Sequence, residues 1–223
     1  MPVVLLIRHA QASFGKADYD ALSDTGLAQV DALHHSITRR GIVADRVISG
    51  SLRRQRDTAR PWASAVTVDT RWNEYDADDV LSHHSTSEAR PSRPATETGP
   101  VVSSREFQVV LDRALREWVD DAAGSRCAQP WPDFVARAHA ALDDLTAGLV
   151  SGQTALVFTS SGVIAAVAAS LIGAPDRTFV SLNRASVNAA ITKVIVGGRG
   201  RTLVSYNDHS HLEEAGRDLV TYR

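Results

Sequence analysis

Three short segments carry residue types that could act together on one substrate. Arg8-His9 follows the apolar run Val3-Val4-Leu5-Leu6-Ile7 without a break. A second cationic stretch, Ser49-Gly50-Ser51-Leu52-Arg53-Arg54-Gln55-Arg56-Asp57-Thr58-Ala59, also follows a short apolar run. Glu74 lies in Arg71-Trp72-Asn73-Glu74-Tyr75. The guanidinium groups of Arg8 and Arg54 present donors in a planar fork that matches the oxygens of a phosphate. A neutral imidazole at His9 can attack phosphorus and hold the phosphoryl group covalently, which splits one hard displacement into two. Neighbouring arginines disfavour the imidazolium and so favour that attacking form. The leaving alkoxide needs a proton, and a carboxyl with a raised pKa can supply it; Glu74 is the candidate. Gln11 and Ser13, on the loop after Arg8-His9, either orient the phosphate or the substrate tail or serve ordinary turn chemistry.

These residues need a scaffold that brings strand ends together. Val3 to Ile7 reads as a buried strand, short, continuous and rich in Val and Leu. A helix starts near Ser23 or Asp24, either of which can cap it, carries Leu27, Val30, Leu33 and Ile37 at helical spacing, and stops near Gly41. Arg46 to Ser49 is a second strand and Val66 to Val68 a short third. Between them a helix from Leu52 to about Ala65 must kink or end early at Pro61. Ala155 to Phe158 is a strand that turns through Thr159-Ser160-Ser161-Gly162 into the apolar helix Val163 to Ile172. There the two serines either cap the helix or touch a phosphate, since amides at a helix N-terminus favour an anion. Ala189 to Val196 and Thr202 to Tyr206 form a hairpin around Gly197-Gly198-Arg199-Gly200. Alternating strands and helices of this kind predict a three-layer α/β/α sandwich, with a mostly parallel sheet and an antiparallel edge strand. Ligands of such sheets bind at the carboxyl ends of the strands, where Arg8-His9 falls.

The stretch from about Asp76 to Gln129 interrupts this pattern. Its part from Ser82 to Ser104 is rich in Ser, Thr, Pro and Glu and is expected to be a lid or a disordered segment. An amphipathic helix from about Arg105 to Asp121 follows, with Phe107, Val110, Leu111, Leu115 and Trp118 on one side. A further helix runs from Trp131 to about Gly148. The sequence therefore reads as a single domain over residues 1–223, with a helical cap insertion at about 76–129.

Composition narrows the function. The 223 residues carry a formal net charge of −2, which gives no support for a general nucleic-acid partner. The longest apolar stretch, Gly162 to Ala174, falls short of the ~20 residues of a membrane span, and no secretory signal is evident. With the single Cys127 these points suit a cytoplasmic protein without a membrane partner. No spacing of a metal-ligand motif appears, so no metal is expected, and the absence of Gly-x-Ser-x-Gly around Ser160 and Ser161 disfavours a serine hydrolase. The hairpin edge offers a surface for a homodimer.

Taken in this order, the motifs resemble those of the histidine phosphatase superfamily, the phosphoglycerate mutase-like group. That family opens on a strand followed by Arg-His-Gly, here Arg8-His9-Ala10. Leu22-Ser23, Gly26 and Gln29 are similar to its next segment. Leu52, Arg54, Thr58 and Ala59 match its Ser-x-Leu-x-Arg-Ala-x-x-Thr-Ala pattern, which implies that Arg54 rather than Arg53 binds phosphate. Trp72-Asn73-Glu74 looks like its Leu-x-Glu and implies a proton donor at Glu74. Ala185-Ser186-Val187 and the ending from Tyr206 to Leu212 are also similar. One departure stands out. The family's second histidine lies in Ser-His-Gly-Gly-Val-Ile, and alignment on Gly162-Val163-Ile164 puts Ser160 in its place. Loss of such a donor often costs on the order of 10²–10³ in turnover.

The resemblance implies a phosphomonoesterase acting through a phosphohistidine at His9 on a small phosphorylated molecule, without cofactor. Ser160 keeps alternatives open: a slow enzyme, rescue by His209, His211, His83 or His84, or a protein that binds phospho-ligands without turnover. A phosphoglycerate-mutase-type phosphotransferase is a further alternative, disfavoured because Gln11-Ala12-Ser13-Phe14-Gly15 departs from the Glu-Ser-x-x-Asn stretch of cofactor-dependent mutases.

Overall fold

The strand that ends in Arg8-His9 lies inside the sheet, with a partner on each side. In the computed structural model, which describes residues 1–13, 20–84 and 104–222, β1 (Val3–Arg8) pairs in parallel with β4 (Thr154–Thr159) and antiparallel with β5 (Ile191–Gly197). With β2 (Arg46–Ser49), β3 (Val66–Val68) and β6 (Gly200–Asp208), they form a six-stranded sheet in the order β3-β2-β4-β1-β5-β6. The β3-β2-β4-β1 part is parallel throughout, and β5 and β6 form the antiparallel edge.

Alternation along the central strands shows why helices cover both faces. Val4 and Leu6 of β1 and Ala155 and Val157 of β4 enter one apolar cluster, while Leu5, Ile7, Leu156 and Phe158 enter another. All of these are buried. A strand buried on both faces reads as a continuous apolar run, which is how β1 and β4 read. On the second face, α1 (Asp24–Arg39) packs Leu33 and Ile37 against the sheet. Ser23 caps it, accepting from the Gly26 amide. Leu27, expected on the apolar stripe, is 42% exposed because the buried face runs through Gly26, Val30, Leu33 and Ile37, and Leu27 lies about 100° around the helix from Gly26.

The other face carries more helix. α5 (Trp131–Ala147) and α6 (Ser161–Leu171) pack there, and α6 is buried from Gly162 to Ala169, as a helix apolar all round must be. The Arg-rich segment forms only α2 (Arg53–Thr58), and a 3₁₀ segment from Arg60 to Ala65 with Pro61 in its first turn follows. Proline ends the regular helix as expected.

Three helices were not read from the sequence. α3 (Ala77–His84) falls at the start of the expected cap insertion and runs into the stretch from Ser82 expected to be a lid or disordered; Val80, Leu81 and His84 bury one short face. α7 (Pro175–Ala185) begins on a proline, tolerated at a first helical turn, and buries Phe179, Val180 and Asn183. α8 (Ser210–Ala215) buries His211 and Leu212. α4 (Ser104–Asp121) occupies the span expected of the amphipathic helix and packs against α3 and α7. Trp118 is fully buried in an aromatic group with Tyr75, Trp131, Phe134 and Phe179. Residues 85–103, most of the expected Ser/Thr/Pro-rich loop, lie outside the described residues. Among the described residues no helix is long and apolar enough to cross a membrane.

Candidate active site

β1, β2 and β4 run in parallel and end on the same side of the sheet, so the segments leaving these strands meet in one place. β1 ends on Arg8 and His9 follows it, both buried. His9 Nδ1 lies 2.8 Å from the Ala10 carbonyl. A carbonyl only accepts, so Nδ1 carries the proton and Nε2 keeps its lone pair. Burial, and then the charges of Arg54 and Arg8, hold the His9 pKa well below the usual imidazole range. The ring is thus neutral, with its unprotonated nitrogen facing Arg54, whose Nε donates to it over 3.2 Å.

Arg54 comes from α2, in the segment after β2. Its Nη1 bonds Asp20 Oδ1 at 2.6 Å, and Asp20 Oδ2 accepts from the Arg53 amide. Thr58 ties this helix to the His9 loop: its hydroxyl accepts from the Ala10 amide at 2.9 Å and donates to the Arg54 carbonyl at 2.7 Å. Arg8 is oriented from the far end of the chain. Its Nη1 donates to the carbonyls of Ser186 at 2.5 Å and Tyr222 at 3.1 Å.

Glu74 sits where the segment after β3 crosses the start of α6. Its Oε2 accepts from the Gly162 amide at 3.1 Å and the Ser161 hydroxyl at 3.3 Å. Desolvation nevertheless raises its pKa above the usual carboxyl value, against the opposing pull of the Gly162 amide and Arg54. The approach is close: a Cβ on Gly162 would lie far inside contact distance of Glu74 Oε1 and 2.6 Å from Tyr75 Cε1. Arg8, His9, Arg54, Glu74 and Ser161 all line one cavity of about 500 Å³. Phe107, Gln108 and Leu111 of α4 form part of its wall, with Asp76 and Asp78 before and within α3.

The other expected site residues lie elsewhere. Gln11 does not line the cavity; its Oε1 accepts from the Ser23 hydroxyl at 2.7 Å. Ser13 is buried and its amide bonds the Ala21 carbonyl, which fits turn chemistry. Ser160 is fully buried behind the cavity and makes no side-chain cap; its Oγ accepts from Gln55 Nε2 at 2.9 Å. None of the four histidines considered for rescue lines the cavity. His209 Nδ1 is bonded to the Asn207 carbonyl, His211 is buried, and His84 bonds Ser125. His83 belongs to a group with Asp79 and Cys127 whose donor atoms lie within 4.8 Å of one another, close enough to chelate an ion. Hydrogen bonds already use them: His83 Nδ1 meets the Asp79 carbonyl, Asp79 Oδ2 accepts from the Ala128 amide, and the Cys127 thiol donates to the Asp79 carbonyl.

Sequence reasoning missed Asp20, Thr58 as a bridge, and Gln55. The signal for Gln55 was present as a neutral amide in an arginine-rich run, at the position where the resembling pattern has alanine.

The family model of the histidine phosphatase superfamily (branch 1) matches residues 4–209. No curated protein sequence matches the chain. Among solved structures, a mycobacterial glucosyl-3-phosphoglycerate phosphatase bound to inorganic phosphate is similar over 94% of this chain and 98% of its own, with 20% identity and a TM-score of 0.65. The alpha-ribazole phosphatase of Shigella flexneri is similar over 92% and 96%, with 18% identity and a TM-score of 0.62. A phosphoserine phosphatase of Entamoeba histolytica is similar over 95% and 100%, with 17% identity and a TM-score of 0.58. At these identities the likeness speaks for the fold alone.

Proposed function

Because the chain belongs to the histidine phosphatase superfamily, we propose that it is a metal-independent phosphomonoesterase that works through a phosphohistidine at His9. The observation that carries this reading is the meeting of one neutral imidazole nitrogen, two guanidinium groups and one pKa-raised carboxyl in a single cavity. Arg8 and Arg54 hold the phosphoryl oxygens, and His9 Nε2 attacks phosphorus. The bond to the ester oxygen breaks as the Glu74 carboxyl gives that oxygen its proton. Water then attacks the phosphohistidine; Glu74, now a carboxylate, takes the water's proton, and phosphate leaves with His9 neutral again. The solved relatives are named for small phosphate monoesters, and a cavity of about 500 Å³ suits a substrate of that size. Among the described residues of the expected cap, α4 and the start of α3 supply the wall that faces the leaving group.

The test is hydrolysis of p-nitrophenyl phosphate and a panel of sugar and amino-acid phosphates in the presence of EDTA, beside a His9→Ala control. Activity above the control supports the reading; none on any ester counts against it. One observation favours a second reading, a phospho-ligand binder with little turnover: among the described residues no histidine but His9 lines the cavity. That reading expects thermal stabilisation by phosphate compounds without hydrolysis. Mass-spectrometric detection of phosphate on His9 would exclude it.

A further inference from the structure

We propose that Gln55 is a positioning residue of this site, holding the segment that carries Glu74 in register with the helix that carries Arg54. The proposal rests on the phosphomonoesterase reading above.

Gln55 is fully buried, while its neighbours Arg53 and Arg56 on α2 are exposed. A buried amide is tolerated only where its donors and acceptor are used, and here all are. Nε2 donates to the Trp72 carbonyl at 3.1 Å and to Ser160 Oγ at 2.9 Å, and Oε1 accepts from the Leu52 amide at 3.3 Å. These partners sit on three different pieces: the start of α2, the peptide two residues before Glu74, and the end of β4. A single side chain thus joins the three segments that bring Arg54, Glu74 and the α6 N-terminus together.

The surroundings are built around it. The Trp72 carbonyl also accepts from Thr159 Oγ1 at 2.6 Å, so the peptide before Glu74 is held from two sides. The Asn73 side chain is locked to Ser51 by a reciprocal pair, its Oδ1 accepting from the Ser51 amide and its Nδ2 donating to the hydroxyl. Gly50 leaves the room: a Cβ there would overlap Gln55 Oε1 and lie 2.7 Å from Asn73 Oδ1. A satisfied polar network in a low-dielectric interior fixes geometry. The geometry fixed here is the approach of the Glu74 carboxyl to the Gly162 amide. Gln55 itself does not line the cavity, so it acts through Glu74 and Arg54 rather than on substrate.

Leaving-group dependence separates this role from a merely structural one. Nitrophenolate departs without a proton, whereas an alkoxide needs the one that Glu74 gives. Full-length wild type, Gln55→Leu, Gln55→Glu and Thr159→Val are compared on p-nitrophenyl phosphate and glycerol 2-phosphate, with folding checked by circular dichroism. Gln55→Leu and Gln55→Glu should lower kcat/KM, which reports only the steps up to departure of the leaving group and not the later hydrolysis of the phosphohistidine that also uses Glu74, by ~10²-fold on the alkyl ester, the scale of a mispositioned general acid, and by less than ~5-fold on the aryl ester. Equal losses on both esters, or no loss, overturn the proposal. If neither Gln55 variant folds, Thr159→Val decides. It removes the other donor to the Trp72 carbonyl and must show the same split, and an unsplit profile overturns the proposal. Wild type inert on every ester overturns the phosphatase reading and this proposal with it. That outcome is distinct from an active wild type whose variants show no split.

Discussion

Restoring a histidine at position 160 is a direct probe of how this site is packed. Ser160 has no exposed surface, and its hydroxyl is 2.9 Å from Gln55 Nε2. Gln55 cannot retreat, because it is bonded to the Trp72 carbonyl and the Leu52 amide and borders Gly50 without room for even a Cβ. An imidazole introduced at 160 therefore meets the Gln55 amide in a closed space. Overpacking of this kind costs about 1–3 kcal/mol. For a chain of this size 1 kcal/mol shifts Tm by about 2–4 °C, so Ser160→His alone should lower Tm by about 2–12 °C. Gln55→Ala alone leaves the Ser160 hydroxyl and the Leu52 amide without their partner and should cost about 1–3 kcal/mol. In the double variant the ring occupies the space that Gln55 vacates. The combined loss should then fall short of the sum by about 1–2 kcal/mol, a coupling typical of residues in contact. The assay is urea denaturation of all four proteins, read by linear extrapolation beside thermal melts. Additivity within about 0.5 kcal/mol would refute the reasoning, since it would mean that Gln55 and a histidine at 160 do not compete for one space.

The same geometry sets two further outcomes. Burial and the two arginines keep His9 neutral to well below pH 6.5, and desolvation keeps Glu74 protonated above the ordinary carboxyl range. The proposed mechanism needs His9 without and Glu74 with a proton. So kcat/KM should fall on the acid side only well below pH 6.5, and on the alkaline side once pH passes the raised Glu74 value; an acid limb centred at 6.5 in a pH–rate profile contradicts the His9 assignment. Gly162→Ala should push the Glu74 carboxyl off the α6 amide, because the buried Tyr75 ring, packed on Trp118 and Phe134, cannot yield. Alkyl ester hydrolysis should drop by roughly 10–10²-fold, consistent with an ångström-scale misplacement, while phosphate still protects the folded protein in thermal melts; retained alkyl activity in a folded variant would sink the idea.

What could be read from the sequence was what local pattern encodes. β1 and β4 are apolar on both sides because both faces are covered, so they appear as unbroken runs. Arg8 and Arg54 come soon after such runs, and the side of the sheet they share comes from parallel pairing. α7 was invisible for a physical reason: a short helix that opens on Pro175 and buries only Phe179, Val180 and Asn183 carries too few apolar positions to stand out. α3 likewise owes its place to contacts with α4. At Ser160 the motif showed a missing histidine, yet it did not show that Gln55, over a hundred positions earlier in the chain, fills the gap. Long-range side-chain pairing leaves no local period to detect. Gln11 and Ser13 were read from proximity to His9 in sequence, and backbone direction after β1 turns Gln11 toward Ser23 instead.

The central position of β1 also bears on how the protein reaches this structure. The strand that leads to His9 is synthesised well before its partners, Thr154–Thr159 and Ile191–Ile195. Until those residues are available, Val3 to Ile7 is an apolar segment with both edges unpaired, the kind of surface on which chains aggregate. Parallel pairing across such separations is slow to form. Refolding from denaturant should therefore be prone to concentration-dependent loss, and phosphatase activity should return together with burial of the sheet, since no shorter stretch of chain can bring His9, Arg54 and Glu74 together.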